Sequence, residues 1–138
     1  MSMPTSKNAR LFYRAAKERF EDAELILGLN RTTAAVYLAG YSVECMIKAL
    51  ILSSVPRSRE NEILAMFRGG QAHDFRWLMR LYQQHGGIAV PRHLAEDFEE
   101  VADWSTAIRY SPATMQAHDA KDFLYSTTKM IKWADGRL

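Results

Sequence analysis

The chain carries one cysteine, Cys45, so no disulfide can close within it. It has no zinc-type Cys/His spacing, no P-loop and no GxGxxG, and neither a metal site nor a cofactor is expected. No stretch alternates apolar and polar residues over strand length, which leaves β architectures without support. Charge of one sign is scarce too. Eighteen Lys and Arg against sixteen Asp and Glu leave a net +2, which permits contact with phosphate but lacks the strong basic footprint of a dedicated DNA binder. The opening residues MSMPTSKNAR lack the apolar run of a secretory leader. With a lone thiol, this points to a reducing cytoplasm. Disorder is excluded for the body, because 48% of the residues are hydrophobic.

What is present is helix. A length of 138 residues suits one domain, residues 1–138, with residues 1–7 as a tail ahead of the first helix. The stretch Ala34–Leu52, AAVYLAGYSVECMIKALIL, is apolar almost all the way round a helical wheel. Tyr37, Tyr41, Glu44 and Lys48 interrupt it. Their spacings of four, three and four align them on one narrow stripe. A membrane span is excluded by Glu44 near its middle and Lys48 a turn later, each costing about 2.5–3.5 kcal/mol at a bilayer centre. The alternative is the central helix of a bundle.

Around it the periodicity predicts a first helix over about Asn8–Leu29, with Leu11, Ala15, Phe20, Ala23 and Ile26 or Leu27 inward. Gly28, Asn30 and Thr32–Thr33 turn the chain into the central helix, and so short a link makes the two helices antiparallel neighbours. Ser58 is placed as N-cap of a short helix closed by Gly69 and Gly70. A further helix spans about Asp74–Gln84, and Pro91 opens a fifth that runs to about Tyr110. The last covers about Thr114–Ala134, burying Ala120, Phe123, Leu124, Thr127, Met130 and Ile131. The expectation is an all-α, up-and-down four-helix bundle with one or two short additional helices.

Several polar residues are candidates for function. The middle of the chain is arginine-rich, with Arg57, Arg59, Arg68, Arg76, Arg80, Arg92 and Arg109. Arginine is the side chain suited to bidentate phosphate recognition. Arg109 falls in phase with Leu94, Phe98 and Ala102, on the face that should be buried. There it must meet a carboxylate, with Glu44 the internal candidate, or a ligand phosphate, or reach water past the helix end. Glu44 and Lys48 form a favourable pair one turn apart. Tyr37 and Tyr41 either carry their hydroxyls to the surface, line a pocket floor or form a dimer seam. His73 is expected to help the start of its helix or to pack locally, and His85 and His93 to be solvated or locally satisfied. His118 lies off the core arc beside Asp122.

The same segments resemble the HEPN family. AAVYLAGYSVECMIKALIL is similar to the family's second helix, AHDFRWLMRL to its His-Asp segment, and WSTAIRYSP to its Arg-Tyr-Pro segment, in that order from about Asn8 to Trp133. The resemblance implies a helical bundle, a homodimer in many cases, that binds a nucleotide or RNA. It also implies a toxin–antitoxin or defence setting, with a small nucleotidyltransferase as partner protein. The family's ribonuclease branch carries Arg, four to six residues, then His. After Arg109 those positions hold Thr114, Met115 and Gln116. The leading expectation is therefore phosphate binding by Arg109, with Tyr110 stacking or hydrogen bonding and Glu44, Lys48 and Tyr41 framing the cleft. Two alternatives stand beside it. One is a metal-independent endoribonuclease using Arg109 with His118, or Arg68 with His73. The other is a non-catalytic dimerisation or interaction module.

Overall fold

A computed structural model describes residues 4–106 and 115–138 of the chain, without the side chains of Ser105 and Thr106. Six α-helices follow one another: α1 (Lys7–Gly28), α2 (Thr32–Ser54), α3 (Glu60–Met66), α4 (Phe75–Gln84), α5 (Ala95–Thr106) and α6 (Ala117–Asp135). Among the described residues there is no strand. Short 3₁₀ turns at Arg57–Arg59, Gly70–His73 and Arg92–Leu94 lead into α3, α4 and α5. The all-α expectation holds.

Helix α1 starts where the Ser6 side chain accepts a hydrogen bond from the Ala9 amide at 3.2 Å, satisfying one of the donors left open at a helix start. Its inner seam is Ala9, Ala16 and Ala23, each fully buried and seven residues apart. Small side chains at that spacing let α1 lie close along α2. This phase corrects the expectation for Leu11. Two residues on from Ala9, it turns to the opposite side and is 55% exposed. Ala15, Phe20, Ile26 and Leu27 pack at the edges of the seam. Asn30 closes the link at φ 62°, a left-handed conformation that asparagine adopts more readily than most residues.

Helix α2 is the axis of the fold, in contact with α1, α4, α5 and α6. From Ser42 to Leu52 every residue is buried, whichever way it points. Its length and composition would suffice to cross a membrane, but 83% of its most apolar window is covered by the other helices. Those helices are tied to one another by polar contacts at their edges. Lys17 of α1 reaches Asp135 of α6 at 3.1 Å, and Ser126 of α6 lies 2.9 Å from Asp97 and 2.7 Å from Glu100 of α5.

Three helix starts differ from the sequence expectation. Ser58 caps nothing. The Arg59 amide bonds to the Pro56 carbonyl at 2.9 Å, forming a tight turn that contains Ser58 and runs straight into α3. Pro91 likewise precedes a 3₁₀ turn, with the Leu94 amide on its carbonyl at 2.9 Å, so α5 proper begins at Ala95. Helix α6 begins at Ala117 behind Gln116, while Thr114 lies outside the described residues. So do the expected last turn of the fifth helix and, with it, Arg109 and Tyr110. The inward face of α5 is as expected, with Leu94 and Ala102 buried and Phe98 packed on the core. The six residues expected inside α6 are all buried.

Candidate functional site: a carboxylate-held histidine and a groove at the start of α2

The polar stripe of α2 divides into two halves with different fates. Tyr37 and Tyr41 are 48% and 40% exposed, whereas Glu44 and Lys48 are 2% and 5% exposed. The covering explains the division. Beyond Tyr41, α1 and the end of α3 close over the helix and bring Phe12 and Phe67 together edge to face at 5.8 Å. The Lys48 ammonium lies between them, 5.8 Å from the Phe12 ring and 5.3 Å from the Phe67 ring. Both rings turn π-density to the cation, and its charge is balanced by Glu44 Oε2 at 2.9 Å. Glu44 and Lys48 therefore do not frame an open cleft, as the sequence suggested. Removing two charges from water costs several kcal/mol each, which is repaid only where the remaining polar atoms are satisfied.

The remaining carboxylate oxygen is satisfied by a residue from another element. Glu44 Oε1 lies 3.1 Å from Nδ1 of His73. His73 ends the turn Gly70–His73, between two fully buried anchors, Ala72 and Phe75. Capping of α4, a role the sequence allowed His73, falls instead to Asp74, whose Oδ1 accepts from the Arg76 and Trp77 amides at 2.9 and 3.2 Å. An ionised carboxylate can only accept, so Nδ1 of His73 is the donor in this contact. With 42% of its side chain exposed, the imidazole joins the buried pair to solvent.

The other histidines play smaller parts. His85 Nδ1 donates to the Leu81 carbonyl at 2.9 Å and closes the last turn of α4, and His93 is exposed. His118 has an 82% exposed side chain and touches Asp122 at 3.3 Å within its own helix. Ligand atoms of His118, Asp119 and Asp122 lie within 4.8 Å of one another, but all three residues are in open solvent. Arg68, the residue paired by spacing with His73, is exposed on the turn that closes α3. Cys45 is buried, and burial pushes its thiol up to about 11, the opposite of what a nucleophile needs.

A second feature lies at the other end of the stripe. The first turns of α2 line a groove of about 750 Å³ that includes Arg31, Thr33, Tyr37 and Leu38. Arg31 stands at the N-cap position, where no side chain bonds to the open amides of the first turn. That end of a helix favours negative charge. Both described flanks of the segment carrying Arg109 and Tyr110 rest here. On one side Trp104, 2% exposed, lies 5.7 Å from the Tyr37 ring and 5.7 Å from the Phe75 ring. On the other, the Thr32 hydroxyl donates to the Met115 carbonyl at 2.6 Å, and the Met115 amide donates to Thr33 Oγ1 at 3.2 Å. Sequence reasoning took Asn30–Thr33 for a turn and nothing more. The arginine directly before two threonines and an apolar helix was the available signal.

Fold and site define an all-α bundle threaded on one buried helix, with polar groups gathered along a single stripe of it. The HEPN domain family model matches residues 9–137, and the chain belongs to that family. It is thus a helical domain of the nucleotide- and RNA-related kind. No curated protein and no solved structure matches it.

Proposed function

We propose that this HEPN domain binds the phosphate of a nucleotide or of an RNA strand at the groove over the start of α2. Arg109 supplies the fixed positive charge, Tyr110 stacks on or hydrogen bonds to the ligand, and Arg31 adds a second cation at the helix start. The observation that carries this reading is the anchoring of both flanks of the Arg109 segment. Trp104 and Met115 each rest on the turns of α2 that line the groove. Tyr41, 40% exposed, remains available to a ligand extending along α2, whereas Glu44 and Lys48 act behind the surface.

A second copy of the chain and a small nucleotidyltransferase, in a toxin–antitoxin or defence setting, are the partners this reading carries with it. The test is titration with nucleoside phosphates and short single-stranded RNA, followed by calorimetry and thermal shift at two salt concentrations. Arg109→Ala should weaken binding roughly 10- to 150-fold, the value of a charge-assisted hydrogen bond. Arg31→Ala should weaken it less. A chain that binds none of these ligands, with Arg109→Ala altering only stability, would be the inert interaction module instead.

A further inference from the structure

The alanine seam of α1 lies against α2, and the opposite side of the helix faces solvent. Diametrically opposite the seam on a helical wheel stand Lys7, Arg14, Glu18 and Leu25, all exposed. Charge along this outer face is segregated. Lys7, Arg10 and Arg14 occupy its first half, and Glu18, Glu21 and Asp22 its second. That order runs against the helix dipole, which favours acidic residues at the start and basic ones at the end. Accordingly α1 has no acidic residue in its first turn and no basic residue in its last, so the pattern does not serve the helix itself. Arg19 partly neutralises Asp22 at 3.0 Å and Glu18 at 3.5 Å. Among the described residues Arg14 and Glu21 have no ion-pair partner. The apolar groups are divided in the same way. Leu25 and Leu29 project from the second half, 72% and 73% exposed. In the first half Leu11 edges a groove of about 320 Å³ between α1, α2 and α3 that Phe12 and Leu64 also line.

We infer that the outer face of α1 is a docking surface for a second copy of this chain, whose own α1 lies antiparallel on it. With a two-fold axis beside Glu18, each Arg14 meets Glu21 of the second copy. Each half that carries the groove then receives the half that carries the exposed leucines. Leu11 and Leu25 are separated by about 21 Å of helix, so both ends of the face are engaged together. The same contact is made twice, which is an isologous interface and closes at two copies. A parallel arrangement would set Arg14 against Arg14 and Glu21 against Glu21, so charge selects the antiparallel one. Glu18 meets its counterpart at the axis, where Arg14 one turn away on each helix offsets the repulsion. The face uses none of the groove residues at the start of α2. It therefore stands whether or not phosphate binds there.

The experiment follows the mass of the full chain by sedimentation equilibrium over micromolar concentrations. Wild type should dimerise, and less tightly as salt is raised, because the paired charges are exposed and screened. Arg14→Glu and Glu21→Arg each set like charges together twice, and each should weaken the dimer at least about tenfold. Mixed in equal amounts, the two variants should form a heterodimer of near wild-type affinity, because every changed side chain then faces an opposite charge. Leu25→Glu should weaken the dimer as well, and mixing should not rescue it. All three positions are exposed, so far-ultraviolet circular dichroism should show unchanged helix. A wild-type dimer that tolerates both charge reversals, or single variants whose mixture stays monomeric, overturns the inference and gives the second copy another surface. A wild type that is monomeric throughout overturns it and removes the second copy from the proposed function. Titration of that same monomer with nucleoside phosphates and RNA then decides the phosphate-binding reading separately.

Discussion

Glu44 Oε1 and His73 Nδ1 lie 3.1 Å apart and join the most deeply covered stretch of α2 to a side chain half in water. The bond crosses between elements 29 residues apart in sequence. It fixes the turn before α4 against the central helix, and it explains why a carboxylate is tolerated where every neighbour on α2 from Ser42 to Leu52 is buried. Glu44 has two oxygens and two donors, so neither lone-pair set is stranded.

The Glu44–Lys48 pair should behave as a coupled unit. Lys48→Met leaves a buried carboxylate with His73 alone, and Glu44→Leu leaves an ammonium held only by two aromatic rings. Each single change should cost about 3–5 kcal/mol in urea denaturation, while the double change should recover most of that loss. Additive losses would mean that the pair is not desolvated as a unit.

Gly40 should not accept a methyl group. A Cβ there would meet the Trp104 indole at 2.4–2.7 Å, well inside contact distance. Alanine favours helix over glycine by about 1 kcal/mol, but overpacking against an indole that also contacts Tyr37 and Phe75 should leave a net loss of about 1–3 kcal/mol. The near-ultraviolet circular dichroism of Trp104 should change with it. A Gly40→Ala protein more stable than wild type would show that the indole moves aside freely.

The Cys45 thiol adds an alkaline dependence. Burial raises it from an ordinary value near 9 to about 11 in the folded chain. Between those values the unfolded chain releases a proton that the folded chain keeps, so stability is full below about pH 9 and falls as pH rises toward 11. The loss should be on the order of 2–3 kcal/mol. Cys45→Ala should flatten this part of the stability–pH curve, and an unchanged slope would assign it to other groups.

The fold was legible because it is written in periodicity. The apolar run of α2 has no solution other than burial, and α6 repeats its apolar residues at helical spacing, so both interiors could be named in advance. What was hidden depended on contacts between segments distant in sequence. A helical wheel puts Glu44, Lys48, Tyr37 and Tyr41 on one stripe, but it cannot show that Phe12 and Phe67 cover only one half of it. Nor does the spacing of Arg68 and His73 reveal that the histidine turns toward Glu44. On α1 the expectation placed Ala23 correctly but put Leu11 inside and passed over Ala9 and Ala16, because alanine carries little hydrophobic signal beside leucine, although the smaller residue decides how closely two helices approach.

His118 should prove dispensable. Its side chain is 82% exposed and its bond to Asp122 stays within one helix turn in open solvent. An exposed pair of this kind contributes between nothing and about 1 kcal/mol. His118→Ala should therefore leave stability, RNA binding and any RNA cleavage at wild-type levels. A large loss of RNA cleavage in this variant would instead favour the endoribonuclease reading in which Arg109 acts with His118.

Asp74 links the stability of α4 to the state of His73. Its carboxylate accepts from the Arg76 and Trp77 amides, two donors that α4 cannot satisfy internally. Asp74→Ala should cost about 0.5–2 kcal/mol as a lost cap, and Asp74→Asn, which keeps a side-chain oxygen, should cost less. The loosened first turn lies directly after His73, so the alanine variant should also weaken the donation from His73 Nδ1 to Glu44, to be measured by nitrogen-15 spectroscopy of the imidazole. The asparagine variant should preserve it. Loss of stability with the tautomer unchanged in both would show that Ala72 and Glu44 hold the imidazole without help from the cap.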